Sequence, residues 1–268
     1  MTPALFRQSV TVAGVVKHRA TPNSLRPLIR TPQGKPSNHG SRGHAEALKI
    51  VLRIGGSVLG SPPDPEVVEG YSKVVSELTG EGHTLAVIVG GGPLSRKYIE
   101  SARKVGLSGF HQDLIAIHTS RLNARLVAMK LGGVSSVPTS INSMLARLSR
   151  NRVGVMGGLR PGITTDTVAA ILAQKWNADL LVKGSNQEGI YTSDPKTDRK
   201  AKKLDSISYA RMKEILGGHH TPGIHSIVDP VAVEQLAESR VKLIVLDGSD
   251  PRNVTLAVNG AKIGTVVS

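Results

Sequence analysis

The chain has 268 residues, 39% of them hydrophobic and 20% charged, and no cysteine. It is long enough to bury a core without cross-links, and lacking cysteine it has no disulfide, thiolate metal site, iron–sulfur cluster or cysteine nucleophile. The formal charge of +14 is lopsided: residues 1–47 hold seven basic side chains against one acid, Glu46, so this stretch carries +6 and residues 48–268 carry +8. The basic body is open to three readings: a nucleic-acid surface, a pocket for phosphate-bearing substrates, or an organism whose proteins are basic throughout. Aromatic residues are only 3% of the chain, too few for base-stacking platforms, so nucleic acid ranks last as a partner. No stretch approaches 18 apolar residues, so no membrane span is expected.

In chain order, residues 1–47 show no sustained period and are rich in Pro, Gly, Ser and Thr, which reads as a disordered basic leader. Val10–Val16 lacks the cleavage site of a secretory signal, and a cytoplasmic location is expected. From Leu48 the pattern changes. The run Lys49–Ile54 ends at Gly55-Gly56-Ser57 and reads as a buried strand and turn. Asp64-Pro65 opens a helix whose apolar face is Val67, Val68, Tyr71, Val74, Val75 and Leu78, stopped by Gly80 and Gly82. Leu85–Val89 is the next strand, Gly90-Gly91-Gly92 its turn, and Pro93 opens a helix to about Val105. Leu114–Leu131 is helical, Val153–Met156 is a strand before Gly157-Gly158, and Thr164 or Thr165 caps a helix to Trp176. Strands follow at Leu180–Lys183, Val241–Leu246 and Ile263–Val267, with a helix opened by Asp229-Pro230. Alternating strands and helices of this length make an α/β domain over 48–268, with a mostly parallel sheet covered on both faces.

Ligands of open α/β sheets bind beyond the carboxyl ends of the strands. Three glycine turns lie there, at Gly55-Gly56, Gly90-Gly91-Gly92 and Gly157-Gly158 with Gly162. Glycine lets a backbone approach a phosphate closely, and helix N-termini attract one. There is no G-x-x-x-x-G-K-[ST] and no G-x-G-x-x-G, so neither a P-loop nor a dinucleotide fold is expected. Arg53 and Lys183 interrupt apolar strands just where these end. A strand buried on both faces should be apolar, so each cation implies a partner anion, a carboxylate or a phosphate, unless its strand is a solvated edge. Asp166 opens a helix, either as a plain cap or as a carboxylate that holds cations across a phosphate site.

Four motifs now carry a resemblance. Ile54-Gly55-Gly56-Ser57, Val89-Gly90-Gly91-Gly92, Gly157-Gly158 with Pro161-Gly162-Ile163-Thr164-Thr165-Asp166, and Asn186–Pro195 stand in the order and spacing of the amino acid kinase superfamily. Ile227-Val228-Asp229-Pro230 resembles its late I-D-P-x-A element. Within the superfamily the chain most resembles the archaeal-type uridylate kinases. The resemblance implies a three-layer αβα fold, ATP with Mg²⁺ as phosphoryl donor, UMP as acceptor and a homohexamer. It places Arg53, Asp166 and Lys183 at the reaction centre. Gly55, Gly56, Ser57, Asn186, Tyr191, Asp194 and Pro195 would line ATP, and Gly91, Gly92, Arg96, Asp113 and Thr165 would line UMP. No protein metal ligand is implied, the Mg²⁺ travelling with ATP.

The chain departs from the family pattern in places. Arg53 stands where many members have lysine, which keeps the charge and changes its geometry. Leu159 replaces a threonine, Ile163 a histidine or aromatic residue, and Ala116 a glycine. Two other functions compete with a UMP kinase: a kinase of another acceptor such as isopentenyl phosphate, and a non-catalytic nucleotide- or oxyanion-binding storage protein. The turn Gly92-Pro93-Leu94-Ser95-Arg96 lacks the histidine of the first, and Asp166 with its neighbouring cations argues against the second. The histidines His219, His220 and His225 and the basic run from Lys196 to Lys203 read as solvated loops.

Overall fold

The computed structural model describes residues 46–133, 136–195, 197–217 and 227–268. The continuous apolar runs form the inner strands of a seven-stranded sheet. β1 (Lys49–Ile54), β2 (Thr84–Val89), β3 (Val153–Met156), β4 (Leu180–Ser185) and β6 (Lys242–Asp247) are parallel to one another. β7 (Thr265–Val267) runs antiparallel to β6, and the two-residue β5 (Ser206–Ile207) lies parallel to β7. The strand order is β3-β2-β1-β4-β6-β7-β5.

Side chains alternate across the sheet. In β1, Val51 joins one apolar cluster while Ile50, Leu52 and Ile54 join the other. The Val51 face is covered by α5 (Ile141–Leu148), α6 (Thr165–Trp176), α7 (Tyr209–Gly217) and α8 (Pro230–Ser239), which contribute Met144, Leu172, Met212 and Leu236. The opposite face is covered by α2 (Pro65–Gly80), α4 (Gly109–Lys130) and α9 (Arg252–Val258), through Leu78, Val127 and Val254. α3 (Gly92–Lys104) lies along α4, and the short α1 (Gly56–Leu59) follows the first glycine turn. Both faces are therefore dry, and each fully buried side chain such as Leu52 or Leu172 contributes about 1.5–3 kcal/mol.

The helix starts follow from their caps. Asp64 Oδ1 accepts from the Glu66 amide at 2.8 Å ahead of Pro65. Thr164 is the cap of α6, its Oγ1 accepting from the amides of Asp166 and Thr167 at 3.1 and 3.2 Å. The plain-cap reading of Asp166 is thereby overturned: it stands inside the first turn and its carboxylate is free for other work. The edge-strand reading of Arg53 and Lys183 falls as well, since β1 lies between β2 and β4, and β4 between β1 and β6. The strand order reverses between β1 and β4, the switch point beside which open α/β sheets place their ligands.

Candidate active site

Arg53 and Lys183 are register partners across β1 and β4. The pleat turns both to the Val51 face, toward the start of α6. Two like charges abreast repel, and Asp166 resolves the conflict. Arg53 Nε lies 2.6 Å from Asp166 Oδ1, and Lys183 Nζ pairs with Oδ2. Arg53 Nη2 also donates to Thr165 Oγ1 at 2.9 Å, and Lys183 Nζ donates to the Ile227 carbonyl. Burial pushes the Asp166 carboxyl up, but Arg53 and Lys183 outweigh it and hold it below the usual carboxylate range. Burial, aided by Arg53, pulls the Lys183 ammonium down to about 8, against the support of Asp166 and Asp229. Arg53, Lys183 and Asp166 together carry one net positive charge, suited to an anion.

Two glycine turns roof this pair, and they touch backbone to backbone. A Cβ on Gly56 would lie 2.1 Å from the Gly92 nitrogen. Gly92, at φ +66, has room for none either: its Cβ would meet the Gly56 oxygen at 2.2 Å. The Gly55 amide donates to the Gly184 carbonyl at 3.0 Å and the Gly90 amide to the Ile54 carbonyl at 3.1 Å, which ties the turns to the strand ends.

Two cavities meet here. One, of about 380 Å³, has Arg53, Asp166 and Lys183 at its base and Gly55, Gly56, Ser57 and Asn186 on its walls. The other, of about 360 Å³, runs between α3, α4 and the start of α6 and holds Asp113, Ile163 and Thr165. Gly91, Gly92 and Arg96 line both. Arg96 Nη2 donates to Ser57 Oγ at 3.3 Å, spanning the two turns. Asp113 Oδ2 accepts from the Gly162 amide at 2.8 Å and so holds the loop before α6 against α4.

The third glycine turn differs from the other two. A Cβ on Gly157 would lie 2.7 Å from the Arg121 nitrogen. The Gly158 amide donates to Ser120 Oγ at 2.7 Å, while Arg121 donates to the carbonyls of Gly158 and Leu159, each at 3.0 Å. Packing against α4 accounts for Gly157, and Gly158, whose amide is already used, both packs there and lines the second cavity. Tyr191, Asp194 and Pro195 line neither cavity. Tyr191 donates to Glu188 Oε2 at 3.2 Å, and Asp194 and Pro195 lie in the loop that Asp198 organises by accepting from Ser193 Oγ and the Lys200 amide. The histidine cluster and Lys196 lie outside the described residues.

Asp229 is a residue whose reach the sequence does not disclose. Read as a cap, it does cap α8, accepting from the Ala232 amide at 3.0 Å. It also accepts from the hydroxyls of Thr164 and Thr167 at the start of α6. Two threonines three apart on one helical face are the only trace of this in the sequence. Among the described residues no group of three or more carboxylates or imidazoles could hold a metal, and the carboxylate of the cavity, Asp166, is already spent on two cations.

The family model of the amino acid kinase family matches residues 49–247. A uridylate kinase of Hyperthermus butylicus is 37% identical over 82% of this chain and 97% of its own length. One of Halorubrum lacusprofundi is 40% identical over 82% and 93%. The solved uridylate kinase of Archaeoglobus fulgidus superposes with a TM-score of 0.75 at 35% identity, over 82% of this chain and all of that one.

Proposed function

The chain belongs to the amino acid kinase family, and from that premise we propose that it transfers the γ-phosphoryl group of ATP to UMP, giving UDP and ADP. The observation that carries the reading is the junction of the two cavities at Gly91, Gly92 and Arg96, directly over the cation pair. One cavity accommodates the donor's phosphates and the other the acceptor nucleotide, so two phosphates face each other across the glycine seam.

Phosphoryl transfer asks for alignment and charge neutralisation more than covalent chemistry. An oxygen of the acceptor phosphate attacks the γ-phosphorus while the bond to the bridging oxygen breaks, and ADP leaves with that electron pair. No general base is required, because the second ionisation of a phosphate monoester lies at about pH 6 and the attacking oxygen is already bare. Arg53 and Lys183, fixed by Asp166, neutralise the charge on the moving group without reorganising. The donor set suits a Mg²⁺ carried on the ATP phosphates rather than one caged by carboxylates, and bound there it would offset their charge. Asp113 stands where it can accept from the acceptor's ribose, and Arg96 and Thr165 flank its phosphate.

Self-association belongs to the same reading. Leu122, Leu126 and Met129 recur at helical spacing on α4 and are 59%, 43% and 51% exposed, with Tyr98 of α3 also exposed. An apolar face of that kind suits a second copy of the chain, and the family resemblance points to a homohexamer. The deciding experiment measures acceptor-dependent ADP release with ATP and Mg²⁺ across UMP, CMP, dTMP and isopentenyl phosphate. UMP is expected to have the highest kcat/KM. A better rate with isopentenyl phosphate, or none with any acceptor, would overturn the assignment.

A further inference from the structure

We propose that Asp229 is a positioning residue for phosphoryl transfer, one that sets the first turn of α6 and, through its own segment, the seat of Lys183. The inference rests on the kinase reading above and deepens it.

The argument starts from hydroxyl protons. Thr164 Oγ1 accepts from the amides of Asp166 and Thr167, so its lone pairs are taken and its single proton must go elsewhere. It goes to Asp229 Oδ2. Thr167 likewise donates its proton to Asp229, at 2.9 Å. A carboxylate only accepts, so Asp229 fixes both hydroxyl rotors and leaves Thr164 no orientation but the one that caps α6. On that turn stand Thr165, hydrogen-bonded to Arg53, and Asp166, ion-paired with Arg53 and Lys183.

A second link runs through the backbone. Ile227, two residues before Asp229, supplies the carbonyl that accepts from Lys183 Nζ. Asp229 is thus tied to Lys183 by two routes, through α6 and through its own chain. Capping α8 would need only the bond from the Ala232 amide; the two threonine hydroxyls exceed that need. Among the described residues the charged groups around Lys183 are Arg53 from β1, Asp166 from α6 and Asp229 from the start of α8, and Asp229 supports Lys183 through space rather than by a direct ion pair.

The test compares Asp229→Asn and Thr167→Val with the parent chain, full length, measuring kcat and both KM values from pH 6 to 9.5 alongside thermal melting. Asparagine caps a helix about as well as aspartate, so α8 keeps its cap. The parent is expected to lose kcat/KM, which reports the free enzyme's groups, as the pH rises through about 8, where Lys183 gives up its proton. Asp229→Asn removes an anion, favours the neutral amine and should move this alkaline limb to lower pH. Its kcat at pH 7.5 should fall about tenfold or more, the scale of losing one charge-assisted hydrogen bond, with both KM values nearly unchanged. Thr167→Val removes a hydrogen bond and no charge, so kcat should fall while the limb stays. Asp229→Asn with parental kcat and limb overturns the inference, as does a fall in kcat that tracks melting temperature with the limb unmoved. If Asp229→Asn does not fold, an unchanged kcat in Thr167→Val overturns it alone. A parent inactive with UMP overturns instead the kinase reading on which the inference stands.

Discussion

Replacing Asp166 by asparagine removes one charge and almost no volume from between Arg53 and Lys183. Their backbones are register partners on adjacent strands, about 4.8 Å apart. With Lys183 titrating at about 8, roughly nine-tenths of the parent molecules carry the ammonium at pH 7. Loss of an opposite charge in direct contact costs about one to three units. A drop of about three units, the top of that range and the one that suits a pair this deeply buried, leaves on the order of one molecule in a hundred charged at pH 7. That alone lowers kcat/KM about a hundredfold, the scale seen when one preorganised electrostatic contact is deleted. The assay is kcat/KM against pH, which reports the groups of the free enzyme. Activity of Asp166→Asn should recover as the pH falls below 7, because acid restores the ammonium. The melting temperature should fall, since a broken buried ion pair costs about 3–5 kcal/mol while both cations stay charged, and less once Lys183 sheds its proton. Near-normal turnover of Asp166→Asn at pH 7 would refute the reasoning, because Asp166 would then have no part in organising the cations.

Arg96 spans the two turns at the seam, and Arg96→Ala should raise the KM for UMP about tenfold or more while changing that for ATP far less; equal rises would move Arg96 away from the acceptor. Gly56→Ala should abolish activity and lower the melting temperature, because its Cβ would fall 2.1 Å from the Gly92 nitrogen and one of the two turns would have to give way. We propose that residues 1–47 are dispensable for catalysis: a chain starting at Leu48 should keep the parental kcat and KM, measured side by side, and a loss of activity on truncation would refute this.

The parts legible in the sequence are those fixed by local pattern. β1, β2, β4 and β6 read directly because burial on both faces demands unbroken apolar runs, and α2 announced itself through Asp64 and Pro65. α5 gives little local signal because its capping box is Ser140 with Ser143 rather than serine with glutamate, and the helix has only eight residues. β5 has two residues and exists by pairing with β7, which no local signal encodes. At the site, misplaced cations at strand ends revealed Arg53 and Lys183. The bonds from Thr164 to Asp229 and from Arg96 to Ser57 join residues 65 and 39 positions apart; spacing along the chain holds no trace of the second and, of the first, only two threonines three apart. The third glycine turn carries two demands at once, since Gly157 is required by packing on α4 while Gly158 packs there and also lines the second cavity, and a sequence shows both demands alike.

The contact between Gly56 and Gly92 also bears on how such a protein can change over time. Each residue blocks a side chain at the other, so neither position can drift alone, and a paired change would still have to open the seam. The cation pair beneath is equally committed, since any new residue there must balance the same carboxylate. Freedom to acquire a different acceptor is therefore confined to the far wall of the second cavity, where Arg160 and Ile163 sit on a loop held to α4 by side chains from that helix. The chemistry of transfer is inherited as a block, while the choice of what receives the phosphoryl group rests on a few replaceable side chains.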